Sequence, residues 1–374
     1  MANCKYEKWR REISYDTINW QLTNTYTKGN LIESNSRDCA TVIYYRWKTI
    51  NPSVDYYCVG TSKYEKQQRQ ESYDSGATWV DLNEYQMGGF VEANSRDCGY
   101  IDYKTEYLTV SAYSPTNISF TRSGLSYKKN NGYWTTLGSS TVHLYSGDTK
   151  QFKGTITPTT GQGSGRFQCS GGTYNVYGNV MSLLYGDNFS GQTSLSGKDC
   201  AFMYLFSGCS GMMIAENLIL PAKTLSTECY SNMFNGCYSL RTAPKLPSTV
   251  LEDYCYDGMF YGCSSLNAAP ELPATIVVEG CYQNMFVDCW SLVDSPPLMA
   301  RILAVDCYSS MFQGCSNLNI VTCNAVDTSA MTCTLDWLDG VASNGTFVKN
   351  AEMEDWNIND SSGIPTGWII TDIV

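Results

Sequence analysis

The sequence has few of the residues on which most enzymes and nucleic-acid-binding proteins depend. Its 374 residues include one histidine, His143, which excludes a metal site built from several histidines. Lysine and arginine number 25 against 36 aspartates and glutamates, giving a net charge of −11. Binding to nucleic acid needs clustered basic side chains to neutralise phosphates, so this balance argues against it.

Long apolar segments are also missing. No run approaches the 18 apolar residues of a transmembrane helix, so no membrane insertion is expected. The first twenty residues lack the apolar stretch and small-residue cleavage site of a secretory signal. Two interpretations stay open: the protein is used without Sec-dependent export, or the sequence was trimmed.

The chain is rich in tyrosine, glycine and cysteine. With 28 tyrosines and 31 glycines but only 16% charged residues, it is typical of a mainly β, turn-rich protein. Twelve of the 17 cysteines lie between Cys200 and Cys333. Their odd total leaves at least one without a partner in the chain.

A repeated motif explains the uneven distribution of cysteine. The pattern C-Y-x-x-M-F-x-G/D-C-x-S/N-L begins at Cys229, Cys255, Cys281 and Cys307, with a period of 26 residues. Degenerate copies begin at Ala201 and Cys333. A second motif, L-x-x-A-P-x-L-P, occupies residues 240–247 and 266–273. We expect each repeat to hold one short strand near A-P-x-L, followed by a turn or short helix carrying Met-Phe.

Within each copy, Cys, Met, Phe, the second Cys and Leu stand at positions 1, 5, 6, 9 and 12. This approximates an i, i+4, i+8 stripe that faces a core, and stacking of the copies would bury it. The favoured role of the cysteines is therefore packing. Sporadic disulfides stay open, and metal binding is disfavoured because there is no CxxC pair. The predicted repeat core is Cys229, Met233, Phe234, Cys237, Leu240, Cys255, Met259, Phe260, Cys263, Leu266, Cys281, Met285, Phe286, Cys289, Leu292, Cys307, Met311, Phe312, Cys315 and Leu318.

A tandem duplication is present near the N-terminus. The segment N-S-R-D-C at residues 35–39 recurs at 94–98, and K-Y-E-K at 5–8 recurs at 63–66. The sequence thus predicts four regions: small β modules at 1–58 and 59–104, a β-sandwich-like domain at 105–185, and a repeat solenoid with a C-terminal capping strand at 186–374. A bridge between Cys39 and Cys98 is disfavoured because the two occupy equivalent places.

Signals of catalysis are weak, and we expect neither enzymatic activity nor a cofactor. Residues 72–79 (SYDSGATW) resemble the Asp-box of sialidases, which in that family is a structural turn away from the active site. A Ser-His-Asp or Cys-His site would require His143, which lies in an alternating strand pattern. No carboxylates pair within the repeats as a glycosidase requires, and no phosphate-binding loop is present.

Positions that vary between copies are candidates for ligand binding. The residue after the second cysteine is Tyr238, Ser264, Trp290 or Ser316, and the residue before the glycine includes Tyr261. Exposed tyrosine and tryptophan can stack on sugars or anchor protein contacts, so Tyr238, Tyr261 and Trp290 are the candidate ligand-binding residues. The tyrosines at position 2 are interpreted as structural.

The repeats resemble the BspA-type leucine-rich repeats, which carry A-F-x-G-C-x-x-L followed by an I/L-x-x-P segment. Here Met replaces the usual Ala, and Cys often replaces Ile. The resemblance covers about residues 201–341 and implies a right-handed solenoid of short strands and turns. Members of that family are mostly adhesins and surface proteins.

The overall layout also resembles proteins of gut Bacteroidetes and their phages. The shared features are the tandem modules with N-S-R-D-C, a β domain, M-S-L-L-Y-G-D at residues 181–187, the Cys-rich repeats and G-I-P-x-G-W at residues 363–368. This resemblance implies a non-enzymatic virion protein, a tail or head fibre-type component assembled in the host cytoplasm. Its expected partners are other virion proteins and a host surface glycan or protein, and homo-oligomerisation stays open. The alternatives are an exported BspA-like adhesin at the bacterial cell surface and a glycan-degrading tailspike.

Overall fold

The computed structural model describes residues 4–14, 20–34, 44–50, 56–59, 62–72, 77–92, 102–129, 132–158, 165–354 and 356–373. The protein is mainly β, with 30% strand and 2% helix, which confirms the expectation of a mainly β chain. Its strands form several sheets, none of which closes into a barrel among the described residues. The chain divides into two compact units, Met1–Ile101 and Asp102–Val374.

The first unit consists of antiparallel strands. β1 (Cys4–Ser14) pairs with β2 (Trp20–Ser34) as a hairpin. In a second sheet, a central strand pairs along one edge with two short strands and along the other with a long one. These strands are β3 (Tyr44–Thr49), β4 (Tyr56–Val59), the central β5 (Ser62–Ser72) and the long β6 (Val80–Glu92).

The duplication read from the sequence corresponds to two hairpins. Both ends of β5 lie 58 residues after the ends of β1, and β6 follows β5 as β2 follows β1. Because β4 pairs with β5, the sheet continues across the expected boundary between residues 58 and 59. The N-S-R-D-C segments with Cys39 and Cys98, and residues 73–76 of the Asp-box, lie outside the described residues.

The second unit begins with two facing sheets. The strands are β7 (Leu108–Ala112), β8 (Thr116–Phe120), β9 (Leu125–Lys129), β10 (Thr135–Thr136), β11 (Val142–Leu144), β12 (Thr149–Gly154), β13 (Phe167–Gly171) and β14 (Tyr174–Asn179). One sheet has the strand order β10-β9-β12-β7-β14, and the other has the order β11-β8-β13. Phe152 of the first sheet lies 5.1 Å, ring centre to ring centre, from Phe167 of the second, and Phe167 lies 5.0 Å from Phe120.

These sheets and the repeats share one hydrophobic core. After the short helix α1 (Ser182–Tyr185), strands β15 (Met212–Ile214) and β16 (Leu218–Ile219) pair in parallel with β14. Phe167 also stacks on Phe206 of the first repeat copy at 5.4 Å. Packing therefore continues across residue 185, where the sequence suggested a domain boundary.

Successive repeat copies are joined by a regular backbone hydrogen-bond pattern. Amides at positions 0, 2, 4, 6 and 8 donate to carbonyls of the next copy, as from Tyr230 to Cys255 (3.0 Å). The acceptor lies 25 residues further along, except in the first copy, where it lies 27 residues further along. Amides at odd positions from 1 to 9 donate to the carbonyl three residues earlier, as from Met233 to Tyr230 (3.2 Å). Together the two sets of hydrogen bonds pair the backbone amides of this buried segment without forming an α-helix or an extended strand.

Left-handed backbone recurs every fourth residue in these segments. Positions 0, 4 and 8 of each copy have positive φ, and every described non-glycine residue with positive φ falls on this series. The non-glycine members are Cys200, Tyr204, Glu228, Asn232, Tyr254, Asn284, Asp288, Asp306, Ser310, Thr332 and Asp336. The period is thus four residues, whereas an α-helix has 3.6, and the Met-Phe segment is a run of turns rather than the short helix we allowed for.

Strands in the repeat region are fewer than the sequence suggested. Residues 240–247 contain only an isolated bridge, between Ile214 and Thr242, where we expected a short strand. Prolines in this segment lack the backbone donor that a ladder requires. At the C-terminal end, β17 (Ile320–Cys323), β18 (Thr346–Lys349) and β19 (Ile369–Asp372) pair in parallel.

Candidate recognition site

The repeat core provides a rigid support for any surface site. All twenty residues predicted for it have 0% exposure: Cys229, Met233, Phe234, Cys237, Leu240, Cys255, Met259, Phe260, Cys263, Leu266, Cys281, Met285, Phe286, Cys289, Leu292, Cys307, Met311, Phe312, Cys315 and Leu318. The phenylalanines at position 6 stack at 5.4–5.7 Å from Phe206 to Phe312. A parallel stack joins Tyr230, Tyr256, Tyr282 and Tyr308 and continues through Trp337 to Trp356.

The cysteines of the array are free thiols within this core. At position 9 each thiol donates to the phenylalanine carbonyl of the preceding copy, as from Cys263 to Phe234 and from Cys289 to Phe260, both at 3.2 Å. Burial disfavours the thiolate and raises the pKa of Cys229 and Cys281 to about 12. These groups are therefore packing residues with a weak hydrogen bond rather than nucleophiles.

Tyr238 and Trp290 project from one column of the array. Both stand at position 10, and their side chains are 58% and 54% exposed. Position 10 of the intervening copy is Ser264, so the two rings are two layers, or about 10 Å, apart. An extended ligand would contact the two aromatic rings at separate points.

Local contacts hold this column in place. The Tyr238 ring lies beside the backbone of Gly236 and Gly262, close to where a side chain at either glycine would stand. The Ser264 hydroxyl donates to the Tyr238 carbonyl (3.4 Å), and the Asn317 amide donates to the Trp290 carbonyl (2.7 Å). The backbone that carries both aromatic residues is thus tied to the next copy.

Tyr261 belongs to a different column. It stands at position 7 and is 38% exposed, whereas Val287 at the same position is 4% exposed. The structure therefore places Tyr238 and Trp290 in one column and Tyr261 in the neighbouring one.

A polar cavity of about 460 Å³ was not identified from the sequence. It is lined by Asn117, Ser119, Thr141, Arg166, Gln168, Cys169, Ser170, Ser207 and Gly208. The alternation of polar and buried residues in β8 signals an outward polar face. No sequence signal places the first repeat copy against that face, because this contact is tertiary.

His143 lies beside this cavity on β11. Its side chain is exposed, with Nδ1 2.7 Å from Asn117 Oδ1, and its ring packs edge-on against Tyr145 at 4.7 Å. The described residues contain no group of three or more His, Cys, Asp or Glu side chains that could hold a metal ion. Nor do they contain a helix long and apolar enough to span a membrane.

We compared the chain with protein-family models, curated proteins and solved structures, and none of them matched.

Proposed function

We propose that the chain is a non-enzymatic host-recognition protein of a phage virion, a tail or head fibre-type component that binds a glycan or protein on the surface of gut Bacteroidetes. In this proposal residues 186–374 form a leucine-rich-repeat solenoid of the BspA type, and residues 105–185 form a β-sandwich-like domain. Other virion proteins are its assembly partners.

The observation that carries the proposal is the exposed pair Tyr238 and Trp290 on a hydrogen-bonded stack. Aromatic rings left in solvent at more than half exposure contribute little to folding, yet they offer large apolar faces to a ligand. Their backbone is already ordered by the contacts of Ser264 and Asn317, so binding loses little conformational entropy there.

The binding part of the proposal is tested with labelled full-length protein and cells of gut Bacteroidetes strains. We expect the double variant Tyr238→Ser and Trp290→Ser to lose adsorption to a strain that the unmodified protein binds. Tyr133→Ser is the matched control, because Tyr133 is 96% exposed and lies on the β9–β10 connection, outside the repeats. Equal adsorption of the double variant would refute the proposed face.

The virion part is tested separately with antibodies against the protein. We expect electron microscopy to show labelling on phage particles that infect such a strain. Labelling of the envelope of uninfected bacteria instead would refute the virion assignment and favour the adhesin.

A further inference from the structure

The polar cavity lies between two parts of the second unit. Its floor is the outer face of the sheet β11-β8-β13, and Ser207 and Gly208, at positions 7 and 8 of the first repeat copy, form one wall. Its volume of about 460 Å³ lies within the roughly 300–1,000 Å³ typical of ligand pockets.

The floor of the cavity consists of neutral side chains that form hydrogen bonds. On β8, Asn117 and Ser119 point outward, between the buried side chains of Thr116, Ile118 and Phe120. Strand register places Gln168 beside Ser119 and Ser170 beside Asn117. Hydroxyl and amide groups at this density offer donors and acceptors to a polyhydroxylated ligand rather than to an apolar one.

The cavity differs in charge from the rest of the chain. No aspartate or glutamate is among its lining residues, although the chain has 36 of them and a net charge of −11. Arg166 is the one basic residue in the lining, and its side chain is exposed. Among the described residues no carboxylate forms a salt bridge with it. An exposed guanidinium without a salt-bridge partner can bind a carboxylate through two parallel hydrogen bonds.

We propose that this cavity binds the acidic sugar of a surface glycan, with Arg166 pairing with a uronic acid carboxylate and Asn117, Ser119 and Gln168 contacting the ring hydroxyls. The ligand class rests on the proposed function, because the glycan would belong to the host surface. Neither Tyr238 nor Trp290 lines this cavity.

Isothermal titration with the full chain tests the proposal, using trigalacturonate as the probe and neutral galactotriose and acetate as comparisons. We expect millimolar or tighter binding of trigalacturonate and at least tenfold weaker binding of both comparisons. Arg166→Gln should weaken trigalacturonate binding by about 10- to 100-fold, the effect of losing a charge-assisted hydrogen-bonded pair. Arg166→Lys should retain part of the affinity.

Tyr133→Ser is the control and should bind trigalacturonate within about twofold of the unmodified protein, because that exposed residue lies on the β9–β10 connection and does not line the cavity. An unchanged melting temperature shows that Arg166→Gln is folded, as its exposed side chain leads us to expect. No binding of trigalacturonate, equal binding of acetate, or full affinity in Arg166→Gln would each overturn the proposal. Cell adsorption that depends on Tyr238 would survive any of these results, so the two proposals can fail independently.

Discussion

Phe260 offers the sharpest test of the idea that one continuous aromatic stack stabilises the repeats. Its ring is fully buried and lies 5.4 Å from Phe234 and 5.6 Å from Phe286, within 5° of parallel to both. Its backbone amide donates to Met285 (2.9 Å), and its carbonyl accepts the Cys289 thiol. Alanine would keep both backbone contacts and remove only the ring.

We expect Phe260→Ala to lower the free energy of unfolding by about 4 kcal/mol. Truncating a buried phenylalanine costs roughly 3–5 kcal/mol, because the apolar contact is lost and a cavity remains. This range includes the two stacking contacts, which contribute about 0.5–1.5 kcal/mol each where they have been isolated. Phe260→Leu fills most of the volume and should cost less, about 1.5 kcal/mol.

The measurement is urea unfolding of the full chain followed by tryptophan fluorescence, since Trp337 stacks on Tyr308 in the same core. The control is Tyr238→Ala, an exposed aromatic change that should stay within about 0.5 kcal/mol. A loss below about 1 kcal/mol for Phe260→Ala would refute the reasoning, since the site would then have to be loosely packed.

Three further predictions follow from the same region. At pH 8 the buried thiols of the four regular copies should be unreactive towards a thiol reagent until denaturant is added, because a pKa of about 12, as for Cys229, leaves roughly one thiolate in ten thousand. Fast reaction of several of these thiols in the native protein would contradict their burial. Gly262→Val should lower the free energy of unfolding by about 1–2 kcal/mol in a thermal melt, because φ of Gly262 is +70°. Tyr261→Val, one residue earlier, should leave the stability nearly unchanged. Similar losses in the two variants would disprove the explanation from the backbone angle. Burial raises the pKa of Asp257 and thereby favours its protonated form, so its contribution to stability is present at acid pH and lost as pH rises through the folded-state pKa. Asp257→Asn should therefore be more stable than the unmodified protein at pH 7 but not at pH 3, and equal stability at both would refute this.

The packing of the repeats could be predicted from sequence, whereas their backbone path could not. The 26-residue period identified the buried Cys, Met, Phe and Leu positions because burial imposes the same residue type in every layer. Of the left-handed positions, position 8 is marked in the motif by its glycine or aspartate, but position 0 gave no such signal. Glu228, Tyr254 and Thr332 occupy position 0 in place of glycine or asparagine, and long or β-branched residues are uncommon there.

The candidate sites divide in the same way. Tyr238 and Trp290 could be found because they stand at a position of the motif whose residue type varies between copies. Their exposure follows from that position within their own copy. The cavity at Arg166 depends on residues from β8, β13 and the first repeat copy coming together. These segments are far apart in the chain. The alternation of polar and apolar residues in a strand shows that one face is polar, but it does not show which other segment packs beside that face.

The hydrogen-bond pattern gives the array of repeats a direction. Each copy donates from its even amides to the copy that follows, so the first copy presents acceptors and the last presents donors. Phe167 of β13 supplies a donor to the first copy through the Leu205 carbonyl, while Ser362 accepts from Asp336 in the last copy. The two ends are therefore not interchangeable, and a change in the number of layers that keeps this pattern inserts or deletes a whole repeat unit between them. Any lengthening of the proposed binding face would thus proceed in discrete steps of one layer.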